Sequence, residues 1–333
     1  METKILTPRQ IATAAKLIQA GQLVAFPTET VYGLGADATN PTAVKQVYAA
    51  KGRPSDNPLI VHVSDIAMVQ QFAAVIPPVA QQLMEQFWPG SLTIILPVKP
   101  GSLDRVVTGG LTTVAFRLPA NEVTRALIRQ AGVPLVGPSA NTSGKPSPTT
   151  AQHVAHDLNG KIAAIVDDGP TKVGVESTVI DLSTSHPAIL RPGAITKAQL
   201  ATIVGDLNVD HHHVDAKETP KAPGMKYTHY SPKATVIQVA DADWNLVREQ
   251  VANDATVGIL AFDRQVAAFT ALKTYSLGTD VTSASARLFA GLRYFDDLPE
   301  IKTIYVATVP VTGLGAAYMN RLNKSAGGQW FKK

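Results

Sequence analysis

The sequence contains no cysteine, and this absence removes several chemistries at once. Disulfides, thiolate nucleophiles and zinc–thiolate sites are all excluded. No apolar run reaches the length of a membrane-spanning helix, and the first residues hold no apolar stretch of the secretory-signal kind. We therefore expect a cytoplasmic protein with no membrane partner.

An excess of one charge is also missing. The chain has 30 Lys and Arg residues against 26 Asp and Glu residues, and the small excess is spread over both halves. Any recognition of anions must therefore be local rather than the property of a basic tail. The 333 residues, 45% of them apolar, are enough for two domains with ample cores.

Familiar catalytic signatures are absent too. The chain has no Gly-x-x-x-x-Gly-Lys-Ser/Thr phosphate loop, no Gly-x-Ser-x-Gly elbow and no His-Glu-x-x-His pair. Gly33-Leu34-Gly35 lacks the third glycine of a dinucleotide fingerprint. What the chain does have, up to about residue 200, is an alternation of short apolar strands and helices, which predicts an α/β fold.

Polar residues gather in loops that follow or join the predicted strands. These are a hydroxyl-rich loop over 27–35, a cationic turn over 51–58, a Ser/Asn/Gly/Pro loop over 137–148, and segments at 174–181 and 191–193. Each loop alone could be a plain solvated turn. If they share one rim, they form a site with three cations, several hydroxyls and few acid–base groups. That set suits nucleotide phosphates and catalysis by positioning and charge neutralisation.

The next stretch, residues 205–233, has the composition of a linker and includes His211-His212-His213. Consecutive histidines do not converge well on one metal ion, so we interpret them as part of a solvated linker. Residues 223–227 join a stiff proline, a glycine hinge and apolar and aromatic residues, which predicts a lid over a pocket. Alternatively, the tyrosines of this linker merely anchor the second domain. Residues 234–333 predict a smaller α/β domain, in which a strand over 257–262 is followed by a helix to Leu272.

Several motifs follow one another along the chain: Pro27-Thr28-Glu29-Thr30-Val31-Tyr32-Gly33-Leu34, Lys51-Gly52-Arg53-Pro54, Asn57-Pro58-Leu59-Ile60, Ser139-Ala140-Asn141, Pro146-Ser147-Pro148-Thr149, Glu176-Ser177-Thr178-Val179 and Arg191-Pro192-Gly193. Together they resemble the Sua5/YrdC family. Pro223-Gly224-Met225-Lys226-Tyr227, His229-Tyr230 and Met319-Asn320-Arg321 resemble the longer Sua5 form. The resemblance implies a YrdC-like catalytic domain with a twisted mixed sheet over 1–204, a linker or lid over 205–233, and a smaller Rossmann-like α/β Sua5 domain over 234–333.

The same resemblance implies an enzyme, a nucleotidyltransferase of the L-threonylcarbamoyladenylate synthase type. Such enzymes make threonylcarbamoyl-AMP and pyrophosphate from L-threonine, bicarbonate and ATP, with Mg²⁺ accompanying the ATP and no protein-bound metal. Their product feeds the transferase machinery that installs threonylcarbamoyladenosine (t6A) in tRNAs reading codons that begin with A. The implied partners are therefore ATP, L-threonine, bicarbonate and the downstream transferase machinery. The resemblance also allows a weak contact to tRNA.

The resemblance also assigns residues by position. Catalytic residues around the phosphates match Lys51, Arg53, Ser139 and Asn141. L-threonine is held at positions that match Thr28, His62, Arg117 and Ser177, and a guanidinium such as that of Arg117 suits its carboxylate. ATP binding involves the four catalytic residues together with Ser55, Thr113, Ser147, Arg191 and Tyr227. His62 lies inside an apolar strand, where a lone histidine is as readily a core residue as a ligand.

Two rival functions use the same residues. In a double-stranded RNA or tRNA-binding module without catalysis, Lys51, Arg53, Lys145 and Arg191 would contact phosphates. The nearly balanced charge and the lack of interleaved aromatic residues argue against it. A carbamoyl-transfer domain of the hydrogenase-maturation kind is the other rival, but the chain holds no zinc-finger or acylphosphatase-like segment. ATP consumption that depends on both threonine and bicarbonate would separate the three.

Overall fold

The computed structural model describes residues 2–209, 219–222, 225, 230–252 and 254–332. The chain divides into two compact units, of which the first comprises Met1–Ser143, Pro148–Lys172 and Glu176–Tyr227. The second comprises Gly144–Ser147, Val173–Val175 and Thr228–Lys333. Much of the predicted linker, including His211-His212-His213 and Tyr227, lies outside the described residues. The predicted domain boundaries stay predictions.

The first unit is built on an 11-stranded mixed sheet, counted over its described residues. Its strands are β1 (Lys4–Leu6), β2 (Val24–Phe26), β3 (Gly33–Asp37), β4 (Ile60–His62), β5 (Leu92–Pro97), β6 (Thr113–Arg117), β7 (Leu135–Val136), β8 (Ala164–Val166), β9 (Thr178–Asp181), β10 (Ala188–Arg191) and β11 (Asn208–Val209). Their order across the sheet is β1-β8-β2-β3-β7-β4-β6-β5-β9-β10-β11. The mixed sheet with helices confirms the predicted fold class.

Helices of this unit cover the sheet and provide its core. They are α1 (Ile11–Gln19), α2 (Pro41–Lys51), α3 (Ile66–Phe72), α4 (Pro78–Phe87), α5 (Arg105–Thr108), α6 (Glu122–Ala131), α7 (Ala151–Leu158) and α8 (Lys197–Val204). A large apolar cluster packs α2, α4 and α7 against β4, β5 and β6, and a second one packs α1 and α6 against β1, β2 and β8. Side-chain caps begin several of these helices; Asn121, for example, accepts from the N–H of Thr124 at the start of α6.

The prediction of one continuous loop over 27–35 is wrong at its end, because β3 begins at Gly33 and pairs antiparallel with β2. Glycine is a poor strand former on its own, but tertiary packing requires it here. A Cβ on Gly33 would lie 2.7 Å from the ring of Phe26, and one on Gly35 would lie 2.8 Å from the carbonyl oxygen of Val24. The two glycines therefore let the hairpin pass under the Phe26 ring.

The described elements of the second unit are β12 (Thr235–Val239), α9 (Trp244–Val251), β13 (Val257–Ala261), α10 (Asp263–Val266), β14 (Lys273–Ser276), α11 (Val281–Asp296), β15 (Thr303–Ala307) and α12 (Leu314–Ser325). These four strands form a separate parallel sheet in the order β12-β15-β13-β14. The helix predicted to reach Leu272 is wrong in extent, since α10 ends at Val266 and the chain then turns into β14. The alternation of strands and helices predicted for this part of the chain is confirmed, although β14 was not predicted.

Candidate active site

Side chains alternate along β6 between two environments. Val114 and Phe116 pack into the large core cluster, whereas Ala115 belongs to a small apolar cluster that also contains Ile60 of β4. Since successive side chains of a strand point to opposite faces, Thr113 and Arg117 share the face of Ala115. At β4, β5 and β6 one face of the sheet thus packs into the large core cluster, and the other, which we call the open face, carries the candidate site.

Arg117, at the end of β6, connects most of the residues predicted to hold threonine. It pairs in register with His62 of the parallel neighbour β4, and only 4% of it is exposed. Its Nη1 donates to Oγ1 of Thr30 at 2.9 Å, and the Thr30 hydroxyl shares a 2.9 Å hydrogen bond with that of Thr28. The structure therefore brings Thr28, His62 and Arg117 together.

Glu29 belongs to the same cluster and was missed by the sequence analysis. Its Oε1 accepts from Nη2 of Arg117 at 2.6 Å and from the Ser91 hydroxyl at 2.9 Å, and its Oε2 accepts from the N–H of Ala120 at 3.0 Å. Burial by itself would raise the pKa of this carboxyl, but the charge and hydrogen bond of Arg117 outweigh it and lower the pKa. No signal in the single sequence links Glu29 to an arginine 88 residues away.

His62 is buried and neutral. Only 2% of the residue is exposed, and burial followed by the charge of Arg117 lowers its pKa to about 3. Its Nδ1 has no hydrogen-bond partner among the described residues, and its ring meets that of Phe26 edge-on at 5.3 Å. A buried polar atom without a partner is costly in a core, so this nitrogen favours the ligand role over the core role.

Ser177, just before β9, belongs to a second group of polar side chains on the open face. Its Oγ lies 2.7 Å from that of Thr93 on β5, and Nη2 of Arg191 donates to it at 3.2 Å. The Arg191 Nε also donates to the carbonyl oxygen of Ser177 at 3.0 Å. Ser177 was predicted on the threonine side and Arg191 on the ATP side, so the structure places one residue of each set in direct contact.

Three of the four residues predicted as catalytic form one cluster around the Lys51 ammonium group. Lys51 ends α2, where Gly52 adopts a left-handed conformation with φ 63°, and 2% of the lysine is exposed. Its Nζ donates to the carbonyl oxygens of Ser139 at 2.5 Å and Asn141 at 2.6 Å. The Ser139 hydroxyl donates to Oδ1 of Asn141 at 2.5 Å. The cluster concentrates one buried positive charge beside two polar side chains.

Gly137 connects this cluster to the histidine. Its N–H donates to the carbonyl oxygen of Ile60, and a Cβ at this position would lie 2.5 Å from Nδ1 of His62. Glycine is therefore required where the backbone passes the imidazole, two residues before Ser139. The Lys51 cluster and the Arg117 cluster consequently occupy neighbouring parts of one site.

The remaining predicted residues of the first unit lie at its margin. The Arg53 guanidinium donates to the carbonyl oxygens of Asn57 and Pro58 at 3.2–3.4 Å, and this residue is half-buried. Ser55 is exposed in the turn that follows Arg53, and Thr113 is half-buried at the start of β6. These positions leave Arg53 and Ser55 accessible to a ligand, in contrast to the buried Lys51.

Two ATP-side predictions fall outside this unit or outside the described residues. Ser147 is buried and belongs to the second unit, in which Nε and Nη2 of Arg293 on α11 donate to the carbonyl oxygen of Pro146 at 3.0 and 2.6 Å. Tyr227 lies outside the described residues. Their proposed roles therefore stand on the motif resemblance alone.

A short described part of the predicted linker packs on the open face of the first unit. Ala222 is fully buried in the small cluster with Ile60 and Ala115, and Met225 packs against the same cluster. Beside it, Nζ of Lys221 forms an ion pair with the buried carboxylate of Asp181 at 3.0 Å. This segment therefore covers part of the surface on which the candidate residues lie.

Comparisons with known proteins match both parts of the chain. Residues 16–193 match the Sua5/YciO/YrdC family profile, described as telomere recombination, and residues 195–327 match the profile of the threonylcarbamoyl-AMP synthase C-terminal domain. A threonylcarbamoyl-AMP synthase of Bacillus subtilis is 48% identical over 96% of this chain and 94% of its own length. A synthase of Pyrococcus abyssi is 45% identical over the same shares of the two chains.

A solved structure agrees with the sequence comparisons. The crystal structure of Pyrococcus abyssi Sua5 complexed with L-threonine superposes with a TM-score of 0.92 at 42% identity, covering 99% of this chain and 100% of the other. Family profile, sequence relatives and structural neighbour therefore all confirm the resemblance that the motifs indicated. The chain belongs to the Sua5/YrdC family, in its longer Sua5 form with the additional C-terminal domain.

Proposed function

We propose that the protein is an L-threonylcarbamoyladenylate synthase, which converts L-threonine, bicarbonate and ATP into threonylcarbamoyl-AMP and pyrophosphate for t6A modification of tRNA in the cytoplasm. The observation that carries this proposal is the pairing of two clusters on one site. One offers the Arg117 guanidinium beside hydroxyls and a neutral imidazole, and the other offers the Lys51 ammonium beside Ser139 and Asn141.

The first cluster suits an amino acid. A guanidinium binds a carboxylate through two parallel hydrogen bonds, and Arg117 is held at the end of β6 with Thr30 beside it. The partnerless Nδ1 of His62 can accept from an amine or a hydroxyl because the imidazole is neutral. The hydroxyls of Thr28 and Ser177 complete the proposed threonine-binding set.

The second cluster suits the phosphates of ATP. Lys51, Arg53, Ser139 and Asn141 provide two cations and two polar side chains, and Arg191 adds a third cation beside Ser177. Ser55 and Thr113 lie at the margin of the first unit's candidate site. The motif resemblance alone adds Ser147 and Tyr227 to the proposed ATP-binding set. Positioned cations stabilise the charge that builds up when a phosphoryl group is attacked.

The reaction then needs alignment more than a protein nucleophile. The threonine amine takes up bicarbonate with loss of water and gives a carbamate. A carbamate oxygen attacks the α-phosphorus of ATP, the bond to the bridging oxygen breaks, and pyrophosphate leaves. Arg117 and His62 would hold the threonine carbamate, and Lys51 and Arg53 would neutralise the phosphates of ATP. The attacking carbamate oxygen and the α-phosphorus would then lie in line with the leaving pyrophosphate.

Magnesium fits this site as a companion of the nucleotide. Among the described residues no group of three or more His, Asp or Glu side chains is arranged to hold a metal ion. Mg²⁺ is commonly held by phosphate oxygens and water with few protein ligands, and the Ser139 and Asn141 oxygens are suitable neighbours. When bound, the ion would reduce the charge of the phosphates.

Burial argues against the RNA-binding alternative. Lys51 and Arg191 are 2% and 5% exposed, and both side chains donate to the protein's own backbone. Buried cations of this kind can contact a small ligand that enters the site but not the phosphates of a duplex.

None of the helices among the described residues is long and apolar enough to cross a membrane.

The test is a substrate-omission assay with the purified full-length chain. Pyrophosphate release and the mass of the product are measured with ATP, Mg²⁺, L-threonine and bicarbonate, and then with each substrate left out. We expect release only when all three substrates are present, together with a product of the mass of threonylcarbamoyl-AMP. Pyrophosphate release that is independent of threonine or of bicarbonate would overturn the proposal.

A further inference from the structure

Glu29 is the acidic member of the Arg117 cluster, and the resemblance assigns it no role. It lies directly after Thr28 in the loop that follows β2, and its side chain is 12% exposed. Three donors from three separate segments converge on its two oxygens: the guanidinium of Arg117, the hydroxyl of Ser91 and the N–H of Ala120. These contacts fix the carboxylate from several sides.

The pair also fixes the guanidinium. Arg117 donates through Nη2 to Glu29, through Nη1 to Thr30 and through Nε to the carbonyl oxygen of Gly90 at 3.3 Å. A guanidinium has five N–H groups, so these three contacts use three of them and, among the described residues, two are left for a ligand. A side chain with several rotatable bonds is thereby held in one orientation before any ligand arrives.

Stability alone does not account for the pair. A buried ion pair contributes little net stability compared with apolar residues of the same volume, because both charges must leave water. The chain also contains an ordinary Glu–Arg arrangement for comparison, in which Glu122 on α6 bonds Arg125 and Arg129 while 62% exposed. Glu29 differs from Glu122 in being buried and in having three donors from separate segments. It also lies directly after Thr28 and bonds Arg117, the residue in register with His62.

We propose that Glu29 is a positioning residue for substrate carboxylate recognition, holding the Arg117 guanidinium so that its two remaining N–H groups face the carboxylate of the amino acid. This inference rests on the proposed function, since it takes threonine as the ligand of Arg117. Glu29 does not itself contact the carboxylate, because two negative charges would repel each other. Its effect must therefore depend on the presence of a carboxylate in the ligand.

That dependence gives a direct experiment with the full-length protein. Binding of L-threonine and of L-threoninamide, which lacks the carboxylate, is measured by calorimetry on the native protein, Glu29→Gln and Glu122→Gln. We expect Glu29→Gln to weaken L-threonine binding by about tenfold or more, as loss of a charged hydrogen bond predicts. Binding of L-threoninamide should change less than about twofold, and Glu122→Gln should match the native protein for both ligands.

Two further measurements separate the possible outcomes. Ser91→Ala removes one donor to Glu29 without touching Arg117, so it tests the same idea if Glu29→Gln does not fold, and it should weaken L-threonine binding by a few-fold but leave L-threoninamide unchanged. Equal losses for both ligands, or unchanged threonine binding in a folded Glu29→Gln variant, would overturn the inference while the proposed function stands. A native protein that binds no L-threonine would overturn the proposed function and this inference with it.

Discussion

Arg117 and His62 face each other in register on two parallel strands, and the charge of the first helps to keep the second neutral. Two basic side chains at adjacent sheet positions would repel each other if both were protonated. Burial makes the uncharged imidazole the stable form, and the permanent charge of Arg117 adds to this preference. At these two positions the site therefore holds one cation and one neutral polar ring, where the sequence alone suggests two basic groups.

The first prediction concerns the pH dependence of folding. The pKa of His62 falls from 6.5 to about 3 on folding, so between these values the unfolded chain binds a proton that the folded chain does not. Stability should therefore decrease as the pH falls below about 6.5, by up to about 1.4 kcal/mol per pH unit from this group. Chemical denaturation between pH 7 and pH 5 measures the slope.

A His62→Gln variant should lose the part of the pH dependence of stability that comes from this group. The matched control is His186→Gln, because His186 is exposed and lies outside the site. If His62→Gln and the native protein lost stability in parallel over this range, the neutral state of the imidazole would be wrong.

The second prediction concerns the Lys51 ammonium. Lys51→Met keeps the aliphatic stem but removes the charge, and we expect pyrophosphate release to fall by about 10²–10³-fold, as for the loss of one positioned donor to a developing charge. The control is Lys45→Met, which removes an exposed lysine from the same helix α2. Near-normal release by a folded Lys51→Met protein would remove Lys51 from the catalytic set.

The third prediction concerns Arg117, whose loss has two effects. Arg117→Ala should raise the KM for threonine far more than that for ATP, because the guanidinium is the proposed carboxylate ligand. It should also lower stability by about 3–5 kcal/mol, since Glu29 is then left buried without its partner. Steady-state kinetics and thermal unfolding measure the two effects separately.

The double variant Arg117→Met/Glu29→Gln removes both charges and should recover much of the lost stability without recovering the threonine KM. A larger rise in the KM for ATP than for threonine would mean that the two halves of the site are assigned the wrong way round.

The fourth prediction concerns the linker. If it acts as a lid, trypsin should cut between about residues 215 and 232 more slowly when ATP and threonine are present. Ala222→Asp places a charge in the small apolar cluster of the open face, so it should abolish this difference and reduce activity while both units stay folded. Equal cleavage of the native protein with and without ligands would leave the linker as an anchor only.

Regular patterns in the sequence were sufficient for much of the fold. The apolar runs of β4, β5 and β6, and the cap and stop residues of α6, predict those elements from local chemistry. Strand β3 was not predictable, because its glycines are explained only by the Phe26 ring and the Val24 backbone that pack on them. The same holds for α10, which ends early although the sequence allows a longer helix.

The site shows a similar division. Thr28, His62 and Arg117 were named from motif positions and lie together, but the contacts between them depend on strand register. Glu29 could not be found, because its importance comes from partners far away in sequence. A carboxylate in a polar loop has no distinguishing local pattern, and only the folded chain shows which cation it meets.

The alternation along β6 also bears on how such a protein could diverge. Val114 and Phe116 pack into the large core cluster, whereas Thr113, Ala115 and Arg117 lie on the open face, and the two kinds alternate along one strand. A descendant could change its substrate by replacing alternate residues and leave the layer behind them intact. Deleting a single residue would instead exchange Phe116 and Arg117 between the faces and damage both. A lineage that changes its substrate should therefore substitute residues on the open-face side of β6 and almost never acquire a gap in this strand.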